Sequence, residues 1–128
     1  MGFPLRLLAT ALAASALLVT PASAASGIVA HLTAPTHTPT AGERWPIHIS
    51  AHDRHGHRVH GTVRYAYLYK GDVVSRAEPK GAKSFVGEFD DHHLAWSKRT
   101  IGLELTFRAI VDSHLGQASL DYDVKVAR

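Results

Sequence analysis

The chain has 128 residues and no cysteine, with 14 Lys and Arg against 11 Asp and Glu for a formal charge of +3. Its first 24 residues read as a removable export signal, and the 104 that follow are about 40% apolar with a charge near +2. A single small domain of that balance excludes a multidomain enzyme, a transmembrane protein, a disulfide scaffold and a strongly cationic nucleic-acid binder.

Met1 to Arg6 makes a short positive start, and Leu7 to Val19 is a 13-residue run of Ala, Leu, Val, Thr and Ser. Thr20 and Pro21 break the run. Ala22, Ser23 and Ala24 then put small residues where a signal peptidase needs them, which predicts cleavage before Ala25. The run is too short to span about 30 Å of hydrocarbon comfortably. The expected destination is outside the cell or within the envelope, with no membrane anchor on the mature chain.

From residue 26 onward the apolar period is two. Ile28, Ala30 and Leu32 mark a first strand. Pro35 and Pro39 then predict an extended stretch over 34–40 that cannot pair fully, such as an edge or a connection that switches sheets. Ile47, Ile49 and Ala51 mark a second strand, and Val63, Tyr65, Tyr67 and Tyr69 a third. Val73 with Val74, and Phe85, Gly87 and Phe89, suggest two short ones. The segment 94–101 breaks the alternation and holds Trp96, so a loop or a single helical turn is expected there. Leu103, Leu105, Phe107, Ala109 and Val111 form the clearest strand. A turn at Ser113 to Gly116 leads into Leu120, Tyr122, Val124 and Val126. About seven short strands without a helix describe an all-β, antiparallel two-sheet sandwich occupying residues 25–128 behind a signal over 1–24.

The stretch Asp53 to Val63, with Asp53, Gly56, Val59, Gly61 and Val63 in place, resembles the D-x-x-G-x-P-V-x-G-x-V turn joining the second and third strands of bacterial Ig-like domains. Arg58 stands where proline is usual. Phe85 to Phe89 and Gly102 to Val111 are similar to the end of such domains in small exported actinobacterial proteins of unknown role. The resemblance implies an immunoglobulin-like fold, which serves adhesion, spacing and ligand binding alike.

Ten histidines are the compositional outlier: His31, His37, His48, His52, His55, His57, His60, His92, His93 and His114. Nearly all fall where the alternation points to solvent or to turns. Neutral imidazole binds Zn or Cu, so one expectation is an exported metal-binding protein with His48, His52 and His60 as ligands of a weakly held ion. If Asp53 to His57 closes a tight hairpin around Arg54, His55 and Gly56, Ala51 faces Val59 and His60 lies opposite Ser50. It is then diagonal to both His48 and His52, at about 7–8 Å. His48 and His52 are themselves roughly 13 Å apart, so His60 can share an ion with one of them only. In the Ig-like arrangement the second and third strands belong to different sheets and that pairing is lost. The plain alternative is a polar surface rich in histidine. Asp90, Asp91, His92 and His93 form a second cluster, read as a solvated loop. Protonation of all ten rings below about pH 5.5 would carry the charge toward about +12.

No G-x-S-x-G elbow, H-E-x-x-H pair or phosphate loop occurs, so no catalysis is expected. Tyr65, Tyr67 and Tyr69 share one face and are read as core with hydroxyls at the rim. On the opposite face, Ala66 and Leu68 with Ile110 form a candidate partner surface if their strands are neighbours. Lys80, Lys83, Lys98 and Arg99 are interspersed with acids, which argues against nucleic acid. The expected function is an exported, non-catalytic Ig-like binding or spacer domain without a cofactor, its partner a protein or a cell-wall polymer.

Overall fold

The structure is a computed structural model that describes residues 27–79, 81 and 83–128; the expected export signal over 1–24 and its cleavage site lie outside the described residues. Strands form where apolar residues alternate: β1 (Ile28–Thr33), β2 (Ile47–Asp53), β3 (His60–Tyr69), β4 (Asp72–Ala77), β5 (Lys83–Val86), β6 (Glu88–Asp91), β7 (Glu104–Ser113) and β8 (Gly116–Lys125). Ile47, Ile49 and Ala51 of β2 are buried, as are Leu105, Phe107, Ala109 and Val111 of β7. This is the parity that period-two alternation demands of a sheet with one wet face. The segment 94–101 contains one 3-10 turn at Lys98–Thr100 and is otherwise irregular, as its broken alternation predicts.

The strands pair antiparallel in two sheets, one of three strands (β1-β2-β6) and one of five, in which β5 and β4 share one side of β3 while β7 and then β8 follow on the other. Eight strands stand where about seven were expected, because Phe85 to Phe89 is divided at Gly87. Gly87 has φ +74, a left-handed conformation that bends the chain from one sheet into the other. Upstream of the bend, Phe85 pairs with Gly61 of β3; downstream, Phe89 pairs with Ile49 of β2.

Gly87 also decides between the two expectations for residues 51–61. The tight turn forms around Arg54, His55 and Gly56: Asp53 N donates to His57 O at 2.9 Å and Val59 N donates to Ala51 O at 3.2 Å. The Asp53 carboxylate accepts from His57 N at 2.9 Å and His55 N at 2.8 Å, and the His57 bond foremost holds its pKa below the ordinary range. Beyond Val59 the hairpin forks. Gly87 fills the fork, donating to Val59 O at 3.0 Å and accepting from Ala51 N at 2.8 Å. Ser50 therefore pairs with Glu88, and His60 pairs with Val86.

The proline-bearing stretch is the second crossing between sheets. After β1 the chain moves to the free side of β8 and runs parallel to it. Lys125 N donates to His37 O at 2.8 Å, Ala127 N to Pro39 O at 2.8 Å, and Ala41 N to Ala127 O at 2.9 Å. Alternate residues of any strand face a given neighbour, and Pro39 has no N–H to offer, so at that position the strip accepts from Ala127 and donates nothing.

Between the sheets lies an aromatic centre. Phe107 is fully buried and meets Trp45 edge-on at 5.4 Å, with Tyr65 tilted against it at 4.9 Å. The indole Nε1 of Trp45 donates to Thr36 O at 2.9 Å. One polar tie crosses this core: the Tyr65 hydroxyl of β3 donates to Asp91 Oδ2 of β6 at 2.6 Å, while Asp91 Oδ1 accepts from His93 N at 2.9 Å. Burial first, and the Asp91 carboxylate second, push the Tyr65 hydroxyl well above its ordinary pKa.

Candidate functional site

None of the ten histidines is buried. His48 and His52 lie on the outward face of β2, where His48 pairs with Thr33 of β1 and Asp90 of β6, and His52 pairs with Val29 of β1. His60 starts β3 in the other sheet and stands across from Val86, so the fork at Gly87 removes it from Ser50 and from the diagonal positions. His48 instead faces two carboxylates, with Nδ1 2.7 Å from Asp90 Oδ1 and Nε2 3.3 Å from Glu88 Oε1. The two carboxylates engage different ring nitrogens and do not converge on a shared point. Among the described residues no group of three or more His, Cys, Asp or Glu side chains is placed to hold a metal ion.

The outward apolar patch takes a different form from the one expected. β3 and β7 are neighbours, with Arg64 opposite Ile110 and Ala66 opposite Arg108, so the three residues do lie together. Ala66 and Leu68, however, are only 2% and 6% exposed, and Ile110 is half-buried. Ala66 is flanked directly by Arg108 and Arg76, and Leu68 by Thr106 and Val73. Ala66 lies in a hollow of about 320 Å³ bordered by Arg64, Arg76 and Ile110. The Arg108 guanidinium is held by Asp121 at 2.7 and 2.9 Å, and that bond raises its pKa. What remains outside is mostly a polar lattice of side chains, including an ion pair between Arg64 and Asp112 at 3.3 Å.

A more open apolar surface lies at the far end of β3. The smaller sheet stops at β6, so the inner side of β4 is met by the 94–103 loop instead of by a strand. Between them runs a groove of about 450 Å³ lined by Tyr67, Tyr69, Val74, Trp96, Leu103 and Leu105, with the hydroxyl-bearing Ser75, Ser97 and Thr100 among them. Every residue of β4 is exposed. Its pairing with β3 shifts register between Tyr67 and Leu68: Val73 faces Leu68 and Ser75 faces Tyr67, leaving Val74 as the extra residue of a bulge. Val74 is consequently 57% exposed, the most of any large apolar side chain described.

Trp96 is anchored from behind. Gly42 N donates to Trp96 O at 2.8 Å and Trp45 N donates to Leu94 O at 2.8 Å, which clamps the loop to the start of β2. The Trp96 ring is edge-on to Tyr67 at 5.7 Å and to Trp45 at 5.4 Å, and only 6% exposed. Its Nε1 is buried and has no hydrogen-bond partner among the described residues. Indole N–H groups buried in proteins are ordinarily bonded, so this one is an exception to be explained. Burial, with a smaller contribution from Asp91, raises the Tyr67 pKa.

Tyr69, Leu103 and Leu105 also line a second, more polar hollow of about 720 Å³, around Lys70, His37, Glu104, Asp123 and Lys125. The two hollows thus share a common wall. Alternation correctly assigns Tyr67 inward but says nothing of what lies opposite it. The legible signs were a tryptophan in a segment without period and a Val73-Val74 pair that no alternation buries. Compared with protein-family models and with curated proteins, the sequence matches none.

Proposed function

We propose that this chain is an exported, non-catalytic binding domain of the immunoglobulin-like class, and that it binds through the groove between β4 and the 94–103 loop. The Ig-like reading is supported by strand order. β1, β2 and β6 oppose β3, β7 and β8, with β4 added beyond β3, and the 37–41 strip runs parallel to the last strand. Export is supported by the charged start, the apolar run at 7–19 and the small residues before Ala25.

The observation that carries the binding reading is the groove itself. It is concave and mostly apolar, with a few hydroxyls, and its volume of about 450 Å³ falls within the range of small-molecule sites. A spacer has no use for an aromatic hollow held open beside an exposed valine. The test is an NMR titration of the domain with indole, phenol and cyclohexanol. Shifts confined to Val74, Ser75, Thr100 and the Trp96 indole N–H, and lost in Val74→Arg, are the expected result. Shifts scattered over the surface, or none, would leave a spacer and overturn the reading.

A further inference from the structure

We propose that the groove takes a small amphipathic anion, with an apolar body against Tyr67, Val74, Trp96 and Leu103 and a single carboxylate at Lys70. The inference rests on the groove being a binding site and adds the class of ligand. Because Tyr69, Leu103 and Leu105 line both the apolar groove and the polar hollow, a molecule lying along the first reaches the second without leaving protein surface. At that junction the basic side chains are differently placed. Lys125 stands directly across from Glu104, and His37 Nδ1 lies 2.6 Å from Asp123 O with its ring stacked on Tyr122 at 4.0 Å. Neither lysine forms an ion pair among the described residues, but the Lys70 Nζ lies 5.4 Å from the Tyr69 ring centroid, at the shared wall.

Lys70 also holds that place against its own preference. It is the one non-glycine among the described residues with positive φ, at +52, in a two-residue turn completed by Gly71 at +86. Such turns favour Asn or Gly at the first position, and a lysine there carries a conformational cost. The cost puts a charge beside an aromatic hollow that otherwise has none, a pattern of strain found at ligand sites. At the apolar end, the unbonded Trp96 Nε1 reports on the ring that forms the floor.

The test uses octanoate and 1-octanol on the wild type and on Lys70→Asn, a change that suits the turn and removes the charge. The readout is the Trp96 indole N–H resonance, with the Trp45 indole, bonded to Thr36 O, as an internal reference. Octanoate is expected to bind about three- to five-fold more tightly than octanol, as one exposed charge pair provides, despite being the less apolar molecule. In Lys70→Asn that advantage disappears while octanol affinity is unchanged. Octanoate binding no tighter than octanol, or Lys70→Asn weakening both alike, overturns the anion inference and leaves the groove reading standing. Failure of both ligands to move Trp96 overturns the two together.

Discussion

Changing Tyr65 to Phe deletes one oxygen atom and leaves the ring that packs on Phe107 in place. The deleted hydroxyl is one of two protein donors to Asp91, a carboxylate only 9% exposed, and the other is the backbone N–H of His93. A hydrogen bond to a charged acceptor contributes about 1.5–3 kcal/mol, and here its loss also leaves one carboxylate oxygen short of a partner in a nearly dry site. The expected cost is therefore about 2 kcal/mol. For a domain of this size each kcal/mol moves Tm by roughly 4–8 °C, so the variant should melt roughly 8–16 °C lower. Denaturant unfolding at neutral pH is the assay, with Tyr67→Phe as control, because no hydrogen bond to the Tyr67 hydroxyl is described and that variant should lose less than about 0.5 kcal/mol. The two variants should share the wild-type m-value. A second readout is alkaline. The Tyr65 pKa is raised by burial and then by Asp91, so the folded state keeps a proton that the unfolded chain gives up near pH 10. Its stabilisation is complete below about pH 10 and is lost as pH rises toward the folded value. The variant should show a shallower fall in stability above pH 10. A loss equal to that of Tyr67→Phe, or an unchanged alkaline slope, would refute the reasoning.

Gly87→Ala should cost about 1–2 kcal/mol, because alanine must adopt φ +74, and Arg58, whose Cγ would lie 2.6 Å from the new Cβ, must swing aside; a chemical melt indistinguishable from wild type would refute the account of the fork. Asp53→Asn should reduce the acid sensitivity of folding. With its pKa lowered foremost by the His57 N–H, Asp53 stabilises the fold above its unfolded value near pH 3.9 and ceases to as pH falls through the lower folded value; identical unfolding curves from pH 5 to pH 2 would count against that capping role. Calorimetric titration with Zn²⁺ should give a Kd weaker than about 100 μM, unchanged by His60→Ala, because His60 stands in the other sheet from His48 and His52. A tighter ion that His60→Ala releases would show that the two sheets part in solution.

Much of this architecture is written locally. Alternation marked the inward faces of β2, β3, β7 and β8 because side-chain direction in a strand depends on parity alone. The prolines at 35 and 39 marked a strip that cannot pair fully, an edge or a connection between sheets, because they lack the donors a full ladder needs. Gly56 at φ +83, with Asp53 capping the turn, set the register of the 53–57 turn within five residues. The outward placement of the histidines followed from the same parity.

The rest depended on partners distant in the chain. Whether His60 meets His48 turns on Gly87, which enters the fork from 27 positions away and sends β2 and β3 into separate sheets. Ala66 and Leu68 point outward on their own strand, yet between flanking residues Arg76, Val73, Arg108 and Thr106 of two other strands they are buried. The groove exists because the 94–103 loop and not a strand stands opposite β4, with Trp96 packed edge-on against Tyr67 at its floor. Periodicity tells each residue which side to face; only the packing of one sheet on another decides which of those faces meets protein and which is left for something else.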